Sequence, residues 1–116
     1  MDLSPEKYRE DMEIIRETAQ QVIRDFSIHK KEIIFSGNET TAYQELVGQL
    51  DPVLSEMYTN DKHTFQAMLY QIDISERSFR ELLSTTDKKD FSFRLAEMIV
   101  RREFQKVLTR RFFRNG

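Results

Sequence analysis

Few residues in this chain have side chains that bind metals or act as nucleophiles. Its 116 residues include no cysteine and two histidines, His29 and His63. The lack of thiols excludes disulfides, cysteine nucleophiles and thiolate-bound zinc. Asp25 lies four residues before His29 and Glu56 seven before His63, whereas di-iron bundles use Glu-x-x-His pairs. We therefore predict no metal centre, and we interpret both histidines as surface residues near helix ends.

Other catalytic sites also lack their sequence patterns. The chain has no Gly-x-Ser-x-Gly motif, and the interior glycines, Gly37 and Gly48, are isolated rather than grouped in a phosphate-binding loop. Tyr70 and Asp73 lie three residues apart and could face a polar pocket. We favour the alternative that Asp73 caps a helix while the Tyr70 hydroxyl is solvated. The sequence predicts a non-enzymatic protein without a cofactor.

The charge distribution is the strongest candidate signal for binding. Residues 1–60 carry a net charge of -6, residues 61–100 carry -1, and residues 101–116 carry +5. Cations at the end of a helix can simply stabilise its dipole, and arginine stems can cover apolar surface. The same groups could instead contact an acidic protein, a second copy of the chain, a nucleic acid or an anionic membrane. The candidate partner-binding residues are Arg101, Arg102, Lys106, Arg110, Arg111 and Arg114.

These side chains must be positioned by helices, because apolar residues recur at helical spacing along most of the chain. The clearest example is a first helix whose apolar residues are spaced alternately four and three apart, as expected for one buried seam. Ser4 is predicted to cap this helix, Pro5 suits its first position, and its end is predicted near Phe26 or Ile28. The acids of this helix are expected on its exposed face. The seam consists of Tyr8, Met12, Ile15, Ala19, Val22 and Phe26.

The segment from 29 to 38 interrupts the helical pattern. Its apolar run, residues 33–35, predicts a loop anchored on the core in preference to a short strand, because no second strand is available to pair with it. A second helix is predicted to begin near Asn38 or Thr40. Pro52 either bends this helix or starts a new one that Asp51 caps.

Three further helices are predicted after a turn and cap at residues 60–62. Asp73 and Glu76 have the spacing of a capping box and predict the start of a fourth helix, although one continuous helix from Lys62 to Leu83 also fits the pattern. Residues 84–88 form the next break. The last helix is predicted from about residue 88 to 113. Because it is apolar on more than one side, we expect it to be central.

One stretch of the chain is similar to a known group of proteins. Residues 68–76, Met-Leu-Tyr-Gln-Ile-Asp-Ile-Ser-Glu, resemble a segment that recurs in a small family of uncharacterised bacterial all-helical proteins. The resemblance covers about a fifth of the chain or less. It implies a bacterial, cytoplasmic, all-helical protein, and it implies no activity and no functional residue.

Together these patterns predict an all-α protein, a single helical domain over residues 1–116 that forms an irregular bundle of four or five helices with a long C-terminal helix. We expect a non-catalytic protein–protein interaction module that self-associates. The alternative is a small nucleic-acid-associated regulatory protein that uses the basic C-terminal helix. No apolar run is long enough to span a bilayer, and the first residues lack the pattern of a secretory signal, so we expect a cytoplasmic location.

Overall fold

Five α-helices and one short 3₁₀ helix account for most of the chain. The computed structural model describes residues 5–115, with the side chains of Glu10 to Phe113, and contains no strand within that part. The all-α prediction is confirmed. The helices are α1 (Pro5–Ile28), α2 (Ala42–Asn60), α3 (Lys62–Ile72), α4 (Glu76–Thr85) and α5 (Phe91–Asn115), and the 3₁₀ helix covers Glu39–Thr41.

Helix α1 is described from Pro5 to Ile28, and its end agrees with the predicted end near Phe26 or Ile28. The predicted cap, Ser4, and the side chain of Tyr8 lie outside the described residues. Two residues after the end of the helix, Lys30 adopts the left-handed conformation (φ 62°). There, the Lys31 and Lys30 amides donate to the carbonyls of Phe26 and Ser27, which is a Schellman motif built without glycine.

The segment after α1 is an anchored loop, as predicted. Ile33 is buried in the core, whereas Ile34 is exposed. The Gln49 side-chain amide accepts a hydrogen bond from the Ile34 N–H (3.0 Å) and donates one to the Ile34 carbonyl (2.7 Å). The Glu45 carboxylate accepts from the backbone and the hydroxyl of Ser36. Hydrogen bonds from Thr41 and Ser36 hold the pKa of Glu45 below its ordinary value, so this carboxylate remains charged while it fastens the loop.

Helix α2 runs without interruption through Pro52, which settles the choice between one helix and two. Asn38 caps the preceding 3₁₀ helix by accepting from the Thr40 amide. Asp61 then ends α2 and caps α3, accepting from the Thr64 amide at 3.2 Å. The turn and cap predicted at residues 60–62 are therefore confirmed.

Helices α3 and α4 are separate, but the predicted capping box is wrong. Asp73 is the left-handed C-cap of α3 (φ 73°), and the Ile74 amide donates to the Leu69 carbonyl, forming a second Schellman motif. Ser75 is the residue that caps α4, accepting from the Ser78 amide at 3.1 Å. Aspartate tolerates the left-handed region better than most residues, so Asp73 suits the end of one helix better than the start of the next.

Helix α5 is central, as predicted, because it packs against each of the other four helices. The core lies where α1, α2, α3 and the first half of α5 meet. At one end, the rings of Tyr58, Phe65, Phe79 and Phe91 contact one another, with centroids 4.9–6.5 Å apart. Core residues of α2 and α5 include Leu46, Leu50, Leu54, Met57, Leu95 and Ile99.

No helix in the described part of the chain is long and apolar enough to cross a membrane.

Candidate functional site: a polar seam between the first and last helices

The basic residues of α5 face the acids of α1 and the end of α3. Arg110 lies 3.4 Å from Glu17, and Arg111 lies 3.0 Å from Glu17 and 3.5 Å from Glu13. Because α1 and α5 run in opposite directions, the basic end of the chain meets its acidic beginning. The charge asymmetry of the sequence is thus compensated, at least in part, within the fold.

Two more of the candidate partner-binding residues have partners in the chain. Arg102 binds the Asp73 carboxylate at 2.7 Å, and the Lys106 ammonium lies 2.9 Å from Glu103. Arg101 is exposed and its charge acts on the nearby side chains of Glu97 and Tyr43, and the Arg114 side chain lies outside the described side chains. That these six residues bind a partner stays a prediction, since intramolecular ion pairs account for four of them.

Beneath this surface layer, two carboxyl groups are buried against each other. Glu103 of α5 is 0% exposed and Asp25 of α1 is 6% exposed, and Asp25 is near enough to raise the pKa of Glu103 by hydrogen bonding and by its charge, in addition to the larger effect of burial. Burying an ionised carboxylate is costly unless it is paired and hydrogen-bonded. Here Asp25 Oδ2 and Glu103 Oε2 have no hydrogen-bond donor among the described residues, whereas Glu103 Oε1 lies 2.9 Å from the Lys106 ammonium.

Neutral amides surround the pair and connect it to the surface. Asp25 Oδ1 accepts from the amides of Gln21 (3.1 Å) and Gln71 (3.2 Å). Gln71 Oε1 in turn lies 2.7 Å from His29 Nε2, which gives the histidine the role of donor in this contact. Gln21 Oε1 accepts from Arg110 at 3.1 Å. The network therefore joins α1, α3 and α5 through side chains alone.

The surroundings of Glu103 favour its neutral form. Burial, followed by the neighbouring Asp25, raises the pKa of Glu103 to about 8, although Lys106 acts in the opposite direction. A carboxyl group in this state can donate a hydrogen bond, which an ionised one cannot. A proton on Glu103 thus turns two opposed acceptors into a donor and an acceptor.

The patterns discussed above do not reveal this pair, and the expectation for the acids of α1 is wrong at Asp25. An exposed position is expected for this residue, but it is buried. His29 is half-buried and hydrogen-bonded rather than a free surface residue, whereas His63 is exposed. The missed signal is periodicity. Asp25 and Glu103 each continue the three- and four-residue spacing of a buried seam, shown by Thr18 and Gln21 in α1, and by Ile99 and Val107 in α5.

The site at Tyr70 and Asp73 differs from the polar pocket that the sequence suggested as one possibility. Tyr70 is 88% exposed, and Asp73 ends α3 while it binds Arg102. The two residues line a groove of about 670 Å³ between α3 and α4; Phe79 also lines it, and its ring packs 5.5 Å from that of Phe65. The solvated Tyr70 hydroxyl that we favoured is therefore what the fold provides.

An apolar surface runs along the outer side of the second half of α5. Phe104, Leu108 and Phe112 are each four residues apart, so they lie on one face of the helix. They are exposed to 37%, 40% and 73%. We call these three residues the α5 strip. At its first residue the strip joins a mostly apolar groove of about 270 Å³ between α1, α2 and α5, whose lining includes Ile15 and Leu46.

Comparisons with known proteins find no similar protein. No protein-family model matches the chain, and no match is found among curated proteins or among solved structures. Residues 68–76, which resemble a segment of a bacterial helical family, span the end of α3 and the start of α4. Membership of that family stays a prediction.

Proposed function

We propose that this protein is a non-catalytic helical interaction module that self-associates through the α5 strip. The single observation that carries this proposal is the exposure of Phe104, Leu108 and Phe112 in a row on one helix. Large apolar side chains exposed singly are ordinary, whereas a contiguous apolar patch is typical of an interaction surface. The adjoining groove extends that surface onto α1 and α2.

A second copy of the chain is the occupant that the charges favour. An uncompensated basic tail would repel the same tail of another copy. In this fold, however, Arg110 and Arg111 are bound to Glu17, and Arg111 also approaches Glu13. The flank of the strip is therefore largely compensated in charge, so that two strips can pack together in the manner of ridges into grooves.

The same ion pairs weaken the alternative of a nucleic-acid-associated protein. Phosphate groups would have to displace carboxylates already bound to Arg102, Arg110 and Arg111. The overall pI of about 5.7 is also lower than expected for a nucleic-acid-binding protein. We extend our proposal to a cytoplasmic location, which the absence of cysteine accommodates.

Sedimentation velocity or light scattering across a concentration series tests self-association. We expect a reversible dimer in the native chain. The double variant Leu108→Ser/Phe112→Ser should dissociate at least tenfold more readily, because it removes two apolar anchors from the strip. The control is Tyr70→Ser, which removes an exposed aromatic ring from α3 (88% exposed) and should leave the dimer unchanged.

Three outcomes would contradict the proposal. The chain could stay monomeric at every concentration, the double variant could dimerise like the native chain, or Tyr70→Ser could weaken the dimer as much as the double variant. A salt-sensitive shift of DNA or RNA by the monomer would favour the nucleic-acid alternative instead.

A further inference from the structure

We propose that Asp25 and Glu103 share one proton inside the helical bundle, and that release of this proton weakens the packing of α5 against α1. The pair would act as a pH-sensitive device built into the fold. It does not depend on self-association, because all of the groups involved belong to one chain.

Asp25 and Glu103 are held close together inside the protein. Two carboxyl groups in contact cannot both ionise without strong repulsion, and burial makes that repulsion larger. Glu103 is 0% exposed, so water cannot screen a second negative charge there. Asp25 Oδ2 and Glu103 Oε2 have no hydrogen-bond donor among the described residues, and a proton shared by the two carboxyl groups would give both oxygens a hydrogen bond.

The positive charge near the pair is too small to balance two ionised carboxylates. Among the described residues, the charged groups that act on Glu103 are Asp25 of α1 and Lys106 of α5. At the end of α3, the Ile72 carbonyl accepts a hydrogen bond of 3.4 Å from the Lys106 ammonium. The ammonium therefore shares its N–H donors between this carbonyl and Glu103. One cation can balance one of the two carboxylates, and the second remains uncompensated.

Other charged groups around the pair are already committed to different partners. On α5, Arg102 binds Asp73, and Arg110 donates to Gln21 and approaches Glu17. On α1, Arg24 donates to Gln21 at 3.5 Å. Gln71 of α3 is neutral, and it separates His29 from Asp25.

The consequence is that stability depends on pH near neutrality. The elevated pKa of Glu103, about 8, means that the folded chain keeps this proton up to that pH, while the unfolded chain loses it near pH 4.5. Between these values the folded state binds one more proton than the unfolded state, so stability falls as pH rises. Above pH 8 both states have released the proton, and the decline ends.

The test combines a direct titration with a variant. The ¹³C shift of the Glu103 carboxyl carbon, followed by NMR in the native chain, should titrate above pH 7. From pH 6 to pH 7 the folding equilibrium constant, from urea denaturation, should fall about tenfold, and the fall should lessen as the pH approaches 8. Glu103→Gln should remove this decline, because the amide cannot ionise but can still donate to Asp25.

Two further variants sharpen the result. Glu81→Gln makes the same change at an exposed residue of α4, which is paired only with Arg77 at 3.3 Å, and it should decline with pH like the native chain. Asp25→Asn removes the like charge and should move the Glu103 titration to lower pH. The inference is overturned if Glu103 titrates near pH 4.5. It is also overturned if Glu103→Gln loses stability between pH 6 and 8 as the native chain does. Because the NMR titration uses the native chain, it decides the question even if a variant fails to fold.

Discussion

The two halves of α5 are held in place by different kinds of interaction. Residues 91–100 present Leu95, Ala96, Ile99 and Val100 to the core, and all four are buried. Residues 101–113 instead present Glu103, Lys106, Arg110 and Arg111 to carboxylates and amides of α1 and to the end of α3. A single continuous helix therefore passes from an apolar environment into a polar one.

This contrast separates what makes the fold stable from what can adjust it. Apolar burial is non-directional and responds little to pH or salt. Ion pairs and buried carboxyl groups respond to both. We infer that the first half of α5 fixes the bundle, whereas the second half makes its stability sensitive to conditions.

The largest effect should come from a cavity in the apolar half. Leu95→Ala removes a side chain that is 0% exposed, so the free energy of unfolding should fall by about 2–5 kcal/mol. Leu108→Ala makes the same change in the second half, where the side chain is 40% exposed, and should cost less than about 1 kcal/mol. Urea denaturation at a dilution where the chain is monomeric measures both. Equal losses would remove the distinction between the halves.

An intermediate effect should come from Lys106, and it should depend on pH. Lys106→Met removes the cation 2.9 Å from Glu103, which further disfavours the ionised carboxylate. The folded-state pKa of Glu103 should rise, so the decline in stability should extend to higher pH. At pH 9 we expect a loss of about 1–3 kcal/mol relative to the native chain, and a smaller loss at pH 6.

The control for Lys106→Met is Lys89→Met, which changes an exposed lysine just before α5. Urea denaturation at pH 6 and pH 9 should show no difference between this variant and the native chain. A loss at Lys106 that is the same at both pH values would mean that the ammonium acts through packing rather than through the charge of Glu103.

The smallest effect should come from the surface ion pairs. Arg111→Ala removes contacts with Glu13 and Glu17, and should cost less than about 1 kcal/mol because solvent screens these charges. The loss should shrink between 50 mM and 1 M salt, whereas the loss from Leu95→Ala should not. Thermal unfolding at the two salt concentrations measures this, and a loss independent of salt would instead indicate packing of the arginine stem.

Much of the architecture could be predicted from local sequence, because local rules determine it. The seam of α1 predicted an end near Phe26 or Ile28, and the helix ends at Ile28. The lack of a second strand predicted a loop around Ile33, and a loop is found there. Asp61 had the residue type and position of a helix cap, and it caps α3. Each of these inferences depends on residues within a few positions of one another.

The polar seam could not be predicted in the same way, because it depends on residues far apart in the sequence. Asp25 and Glu103 are separated by most of the chain, and an acid on a helix is normally exposed. That α1 and α5 pack in opposite directions, and so bring Glu17 to Arg111, follows from the tertiary fold alone. At Asp73, two local rules competed. The end of α3 and the start of α4 both suit aspartate, and the sequence does not rank them.

The weak attachment of α4 has a consequence for how the molecule opens. None of its residues is fully buried, and it docks on the core chiefly through the rings of Phe79 and its neighbours. A segment with so little buried surface can detach while the remaining helices stay folded. On warming, residues 73–90 should therefore be the first to become accessible to proteases, well before the rest of the bundle melts.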